Sequence, residues 1–127
     1  MSATQAYLEH VAIYVADIAP HIAFFDAVFG MTVTQVKGDP ANPDQVWLLG
    51  GIQFIRKADF AGPEGRFAHL GLVCADMEAA IKAALAHGAK ATDQGRNWLL
   101  LPDNLYLELM PNKGDAVQIA RANERRI

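Results

Sequence analysis

The stretch LEHVAIYVADI, residues 8–18, returns as AHLGLVCADM, residues 68–77. At one constant offset of 59 residues, His10 matches His69, Ile13 matches Leu72, Val15 matches Cys74 and Asp17 matches Asp76. In both stretches a His opens an apolar run and an Asp closes it, just ahead of a helical pattern. A repeat of about half the chain length signals two copies of one supersecondary unit. If the copies pair about a pseudo-twofold, the two histidines meet.

Outward from these stretches the chain reads as β-α-β-β-β, twice. Strand side chains alternate faces, so His10, Ala12 and Tyr14 share one face of the first strand, and Val11, Ile13 and Val15 share the other. Residues 1–6 read as a loose end. Asp17 offers a carboxylate for a helix start, Pro20 suits the first turn, and Ile22, Phe25, Val28 and Phe29 recur at helical spacing. Gly30 fits the stop. Residues 31–37 alternate as a strand, and GDPANPDQ, residues 38–45, is a loop by composition. Val46–Leu49 and Ile52–Ile55 flank Gly50-Gly51, a tight hairpin signal. Residues 58–66 form the linker.

The second copy follows the same plan. Residues 67–74 are a strand, Asp76 is a cap, and a helix runs from about Met77 to His87 with Ile81, Ala84 and Leu85 inward. Gly88 stops it. A strand begins at 90–93, and 94–96 turn. Strands at 98–101 and 105–110 are joined by Pro102-Asp103-Asn104, where Asn tolerates a left-handed conformation. Residues 114–126 suggest a short polar helix with Val117, Ile119 and Ala120 as its apolar edge.

The chain has 127 residues, which points to one domain on a prior of about 100–200 residues. Its modules span about 7–57 and 67–111, and its tail 112–127. At 52% hydrophobic residues it can build a core. No apolar run approaches the roughly 18 residues of a membrane span, and the N-terminus lacks the pattern of a signal peptide. The formal charge of −3 and the lack of clustered Lys and Arg argue against nucleic acid. Cys74 is the single cysteine, placed as a small buried hydrophobe. A cytoplasmic protein with a small-molecule partner is the expectation.

Three side chains carry candidate chemistry. His10 and His69 occupy equivalent strand positions. Glu108 lies between Leu107 and Leu109 and so faces away from them, alongside Tyr106 and Met110. A carboxylate there is costly to bury unless it meets a cation or donors. Two His and one carboxylate form a common divalent-metal set, with open positions for substrate oxygens. His21 and His87 fall on predicted helices and are expected to face solvent.

The segments HVAIYVADI, HLGLVCADM, FFDAVFGM and PDNLYLELM, in this order and spacing, resemble the vicinal oxygen chelate superfamily over about residues 7–111. Glyoxalase I, methylmalonyl-CoA epimerase, extradiol dioxygenases, fosfomycin-modifying thiol transferases and metal-free bleomycin-binding proteins belong to that superfamily. The resemblance implies an α+β fold in which two βαβββ modules form an incomplete barrel around a metal and substrate cavity. It places the metal ligands on His10, His69 and Glu108, around one divalent ion (Zn, Ni, Fe, Co or Mn). It also implies a homodimer.

Glyoxalase and epimerase relatives carry a fourth ligand, Glu or Gln, in the last strand of the first module. Here that strand reads Ile52-Gln53-Phe54-Ile55. Gln53 is favoured, and gives a four-ligand site of the isomerase type. Ile55 in its place leaves three ligands, as in dioxygenases and thiol transferases. The leading expectation is a metal-dependent lyase or isomerase that stabilises an enediolate of a substrate with paired oxygens. The alternatives are a non-haem iron dioxygenase and a metal-free small-molecule binding protein. Glu108 is the candidate base, since no second carboxylate is apparent. Tyr14, Tyr106 and Trp98 are candidates to line the substrate space, Trp47 occupies the position matching Trp98, and small Ala12 and Gly71 leave room. Arg56, Arg66 and Arg96 are expected at solvated loop positions.

Overall fold

A computed structural model describes residues 4–123. The first repeat builds β1 (Ala6–Val15), α1 (Ala19–Phe29), β2 (Val33–Asp39), β3 (Asn42–Leu48) and β4 (Ile52–Arg56). The second builds β5 (Phe67–Cys74), α2 (Met77–Ala86), β6 (Lys90–Thr92), β7 (Gly95–Leu100) and β8 (Tyr106–Pro111), and α3 (Ala116–Ala122) follows. The chain is a mixed α+β protein whose strands hydrogen-bond as one eight-stranded open sheet, in the order β2-β3-β4-β1-β5-β8-β7-β6. No helix among the described residues is long and apolar enough to cross a membrane.

Two compact units divide the chain, one spanning His10–His69 and the other holding the residues up to Glu9 and those from Leu70 onward. One boundary cuts through β1 and the other through β5. Within the His10–His69 unit the Tyr14 N–H donates to the Arg66 carbonyl over 2.7 Å. Within the other the Ala75 N–H donates to the Gln5 carbonyl over 2.7 Å.

The His10–His69 unit is organised around the parallel β1–β4 pair, to which β3 and then β2 add antiparallel. Alternation sends Val15, Val46, Leu48 and Phe54 to one face, where they bury with Ile18. Ile22 and Phe25 of α1 pack on this cluster, but Val28 and Phe29 stay exposed at 55% and 61%. The helical period groups all four, but Ile22 and Phe25 alone among them pack on this cluster, while Phe29 meets the rings of Phe24 and Phe25. The helix ends at Gly30, which takes a left-handed φ of 66°. Asp17 does not cap α1: Ile18 holds the N-cap position with helical backbone angles and no side-chain bond, and Pro20 starts the first turn.

The region 38–45 is not a loop. Gly38 pairs with Pro43, and Asp39 with Asn42, so β2 and β3 form a hairpin around Pro40-Ala41. Two prolines and a glycine made the segment look irregular. The register shift between Lys37 and Gly38 accommodates them. The next turn is the expected Gly50-Gly51, both at φ 101°, which residues with a Cβ rarely adopt.

The other unit repeats the plan with parallel β5–β8, then β7 and β6 antiparallel. Cys74, Ile81, Ala89, Leu99 and Leu109 bury together, with Met77, Ala80 and Ala84 of α2 against them. Leu85 is 44% exposed rather than inward. Asp76 caps α2 as expected, accepting from the Ala79 N–H over 3.0 Å. Both Asp103 and Asn104 are left-handed, at φ 62° and 60°.

Ala6 already belongs to β1, and Thr4 and Gln5 hydrogen-bond to residues 75 and 76, so 4–6 are not a loose end. Residues 1–3 lie outside the described part. In α3, Val117 is fully buried while Ile119 is 53% exposed. The expected extension of that helix through 126 passes beyond the described residues after 123.

Candidate metal centre

Each histidine reaches its place by strand alternation. In β1 the face opposite Ile13 and Val15 carries His10 and Ala12, both buried. In β5 the face opposite Leu72 and Cys74 carries His69 and Gly71. The two imidazoles meet with Nε2 to Nε2 at 3.1 Å and their planes edge-on at 84°. At least one of these nitrogens presents a lone pair to the other's N–H, or both present lone pairs to a shared cation.

Strand register supplies the next two groups. β5 and β8 pair so that Gly71 stands opposite Glu108. β1 and β4 pair so that Ala12 stands opposite Gln53, while Ile55 stands opposite Tyr14. In both copies, therefore, the residue two after the His faces a polar side chain on the parallel neighbour. Gln53 and Glu108 are equivalent positions of the repeat. Ligand atoms of His10, His69 and Glu108 all lie within 4.8 Å of one another.

Gln53 is 3% exposed, and its Nε2 donates to Gln45 Oε1 over 2.7 Å. Its Oε1 is buried with no hydrogen-bond partner among the described residues. An unsatisfied buried oxygen costs about 1–3 kcal/mol, and a cation removes that cost.

The donor set of His10, His69 and Glu108 fits a divalent ion. Two imidazole nitrogens and a carboxylate suit Zn, Ni, Fe, Co or Mn better than a softer metal. With ligand bonds of about 2.0–2.1 Å, neighbouring donor atoms sit roughly 3 Å apart, close to the spacing of the two imidazoles. Among the described residues, this is also the group of His, Cys, Asp and Glu side chains placed to hold an ion.

The expected lining residues separate. Trp98 stands directly opposite Glu108 across β7 and β8, and Trp47 directly opposite Gln53 across β3 and β4. Directly paired residues share a face of the sheet, so each tryptophan borders one of the two equivalent polar groups. Tyr106 stacks edge-on to Trp98 at 5.3 Å, but its hydroxyl donates to Gln94 Oε1 over 2.6 Å. Tyr14 lies under the Lys57 ammonium at 5.3 Å.

Arg66 lies in the linker and Arg96 is solvent-exposed, as expected, but Arg56 and Arg96 belong to strands and all three have partners. Arg56, at the end of β4, bonds to the Pro43 carbonyl and to Asp44. Arg66 donates to the Tyr14 carbonyl and covers the Phe60 ring. Arg96, in β7, pairs with Glu78, which lowers the Glu78 pKa and raises that of Arg96. His21 does not simply face solvent, since it stacks on Phe54 at 5.2 Å. His87 is exposed, and its Nδ1 donates to the Ala83 carbonyl.

Gln45 lies in the segment whose composition reads as a loop, so the sequence does not single it out. The alternation Gln45-Val46-Trp47-Leu48 was the available signal, since it puts Gln45 and Trp47 on one face.

Residues 9–99 match the family model described as the glyoxalase/bleomycin resistance protein/dioxygenase superfamily. No curated protein matches the chain in sequence. Among solved structures, a Streptomyces coelicolor methylmalonyl-CoA epimerase variant in complex with 2-nitronate-propionyl-CoA aligns at TM-score 0.62 and 16% identity, covering 87% of this chain and 96% of that one. Methylmalonyl-CoA epimerase from Mycobacterium tuberculosis aligns at 0.56 and 16%, over 87% and 91%. The 2,3-dioxygenase LapB from Pseudomonas sp. KL28 aligns at 0.60 and 16%, over 84% of this chain but 42% of its own. At these identities the likeness establishes the fold.

Proposed function

The chain belongs to the glyoxalase/bleomycin resistance protein/dioxygenase superfamily, and from that premise we propose that it is a divalent-metal-dependent enzyme, a lyase or isomerase acting on a small substrate with two adjacent oxygens. One observation carries the reading: two buried imidazoles 3.1 Å apart stand with the Glu108 carboxylate, while the equivalent group in the other copy, Gln53, holds a buried oxygen with no partner.

His10, His69, Glu108 and Gln53 would hold the ion. When bound, it supplies Lewis-acid polarisation of substrate oxygens, a contribution of several kcal/mol to stabilising developing charge. The chain's own residues do the rest. The strands fix both imidazoles before any ligand arrives, so little reorganisation accompanies binding. Glu108 is the carboxylate able to take a proton from the carbon beside a substrate carbonyl and return it. Ala12 and Gly71, opposite Gln53 and Glu108, keep side-chain bulk away from these groups. Trp98 and Tyr14 border the same faces and would orient the substrate by contact. Tyr106 would contribute its ring, its hydroxyl being engaged by Gln94.

A second reading is a non-haem iron dioxygenase. The two-His, one-carboxylate group favours it, being the ligand set of such sites. Oxygen consumption with catechols under ferrous loading would support this reading over the first. By the same family premise the chain would act as a homodimer.

The test is elemental analysis of tag-free protein beside His10→Ala and Glu108→Ala. About one divalent ion per chain is the ratio expected for a single such site, with loss in both variants. Turnover would then be measured on a panel of hemithioacetals and 2-oxo thioesters. Absence of any ion after reloading would overturn the metal-dependent reading and leave a metal-free binding protein on this fold.

A further inference from the structure

An amide side chain carries its oxygen and its nitrogen on opposite prongs of one plane. Committing one prong decides where the other points. In Gln53 the nitrogen prong is committed: it donates to Gln45 Oε1 over 2.7 Å. The oxygen is left buried, on the face of β4 that stands beside Ala12 in β1. Two facing glutamines can share a hydrogen bond in either sense. With Gln45 as donor, Gln53 would turn its NH2 inward, and an NH2 group repels a cation. The sense of this one bond therefore decides whether position 53 offers a ligand atom.

We infer that Gln45 is a positioning residue for the metal centre: by accepting from Gln53 Nε2 it holds the Gln53 amide with its oxygen directed inward as a cation ligand. The inference rests on the metal-binding reading above and extends it to a residue outside the ligand set. Gln45 is well placed for the task. It lies on β3 two residues before Trp47, the direct partner of Gln53, so it is the diagonal neighbour on the same face. It is half-buried, and its own NH2 can reach solvent while its oxygen serves Gln53. Partners that orient ligands in this way typically change metal affinity 10–100-fold when removed.

The test titrates chelator-stripped protein with Ni²⁺ or Co²⁺, read by quenching of tryptophan emission, since Trp47 and Trp98 stand opposite Gln53 and Glu108. Gln45→Leu removes the acceptor, and its dissociation constant should rise about 10–100-fold. Gln45→Glu can only accept, so it should bind at least as tightly as the native protein. Its added charge is separated by repeating both substitutions in a Gln53→Met background, where neither should change affinity by more than about twofold if they act through the amide. Equal binding by native protein and Gln45→Leu, alongside loss in His10→Ala, would overturn this inference alone. The same change in both backgrounds would also overturn it, as it would show a general charge or packing effect. Failure of the native protein to bind either ion would overturn the metal-binding reading and this inference with it.

Discussion

Replacing Gln53 with Met should invert its effect on stability according to whether a divalent ion is bound. The magnitude follows from two features of the side chain. Its Oε1 is buried without a partner, which costs about 1–3 kcal/mol. Its Nε2 makes one hydrogen bond, to Gln45, worth about 0.5–1.5 kcal/mol net. Methionine has similar volume and neither polar atom, and half-buried Gln45 can turn to water. In chelator the variant should therefore be about 0–2 kcal/mol more stable than the native protein, a rise in Tm of up to about 8 °C for a chain of this size. With an ion at a thousand times its dissociation constant, the native protein gains about 4 kcal/mol. A variant that binds about a hundredfold more weakly gains only about 1.4 kcal/mol under the same conditions. The native protein should then be the more stable by about 1–3 kcal/mol. Calorimetric melting in EDTA and in excess Ni²⁺ or Zn²⁺ reads both halves. A variant that melts well below the native protein in EDTA would show that the buried oxygen is satisfied in solution. An equal rise on adding metal to both proteins would show that Gln53 is not a ligand.

Four further outcomes follow from the packing and the charges. Phe54 is nearly fully buried in the His10–His69 unit, so Phe54→Ala should cost about 3–5 kcal/mol in denaturant titration; a loss under 1 kcal/mol would contradict that packing. Asp76 caps α2 through the Ala79 N–H, and Asp76→Ala should cost about 1 kcal/mol with a matching fall in Tm. Burial raises the Cys74 pKa, so its thiol should stay protonated at neutral pH and resist maleimide until the protein unfolds; rapid labelling of folded protein would refute its burial. The Arg96 guanidinium lowers the Glu78 pKa. The pair thus stabilises the fold above the ordinary carboxylate range and loses that contribution as pH falls through the lowered value. The Tm difference between native protein and Glu78→Gln should shrink on acidification, and growth of that difference would reverse the sign.

The repeat LEHVAIYVADI and AHLGLVCADM was enough to locate both histidines, because a strand's alternation and a helix's period are local properties written in successive residues. It also exposed the β-α-β-β-β order, the Asp76 cap and the Gly50-Gly51 turn, each set by one or two residues. Where local signals misled, tertiary contacts outweighed them. GDPANPDQ has the composition of a loop, yet pairing with its neighbour draws it into a hairpin. Asp17 had the chemistry of a cap, but Ile18, held in the core, takes that position. Val28, Phe29 and Leu85 have the right period, yet stay exposed.

Sequence by itself determined which residue types face one another: two histidines at matched points, and a carboxylate held between leucines. It could not choose between Gln53 and Ile55, which lie two apart and share one face. That choice depends on how far β4 is slid along β1, a register set by the whole module's packing and by the turn at Gly50-Gly51. The same holds for Gln45. The role proposed for it rests on one hydrogen bond across a hairpin, and only the folded chain brings the two amides within 2.7 Å.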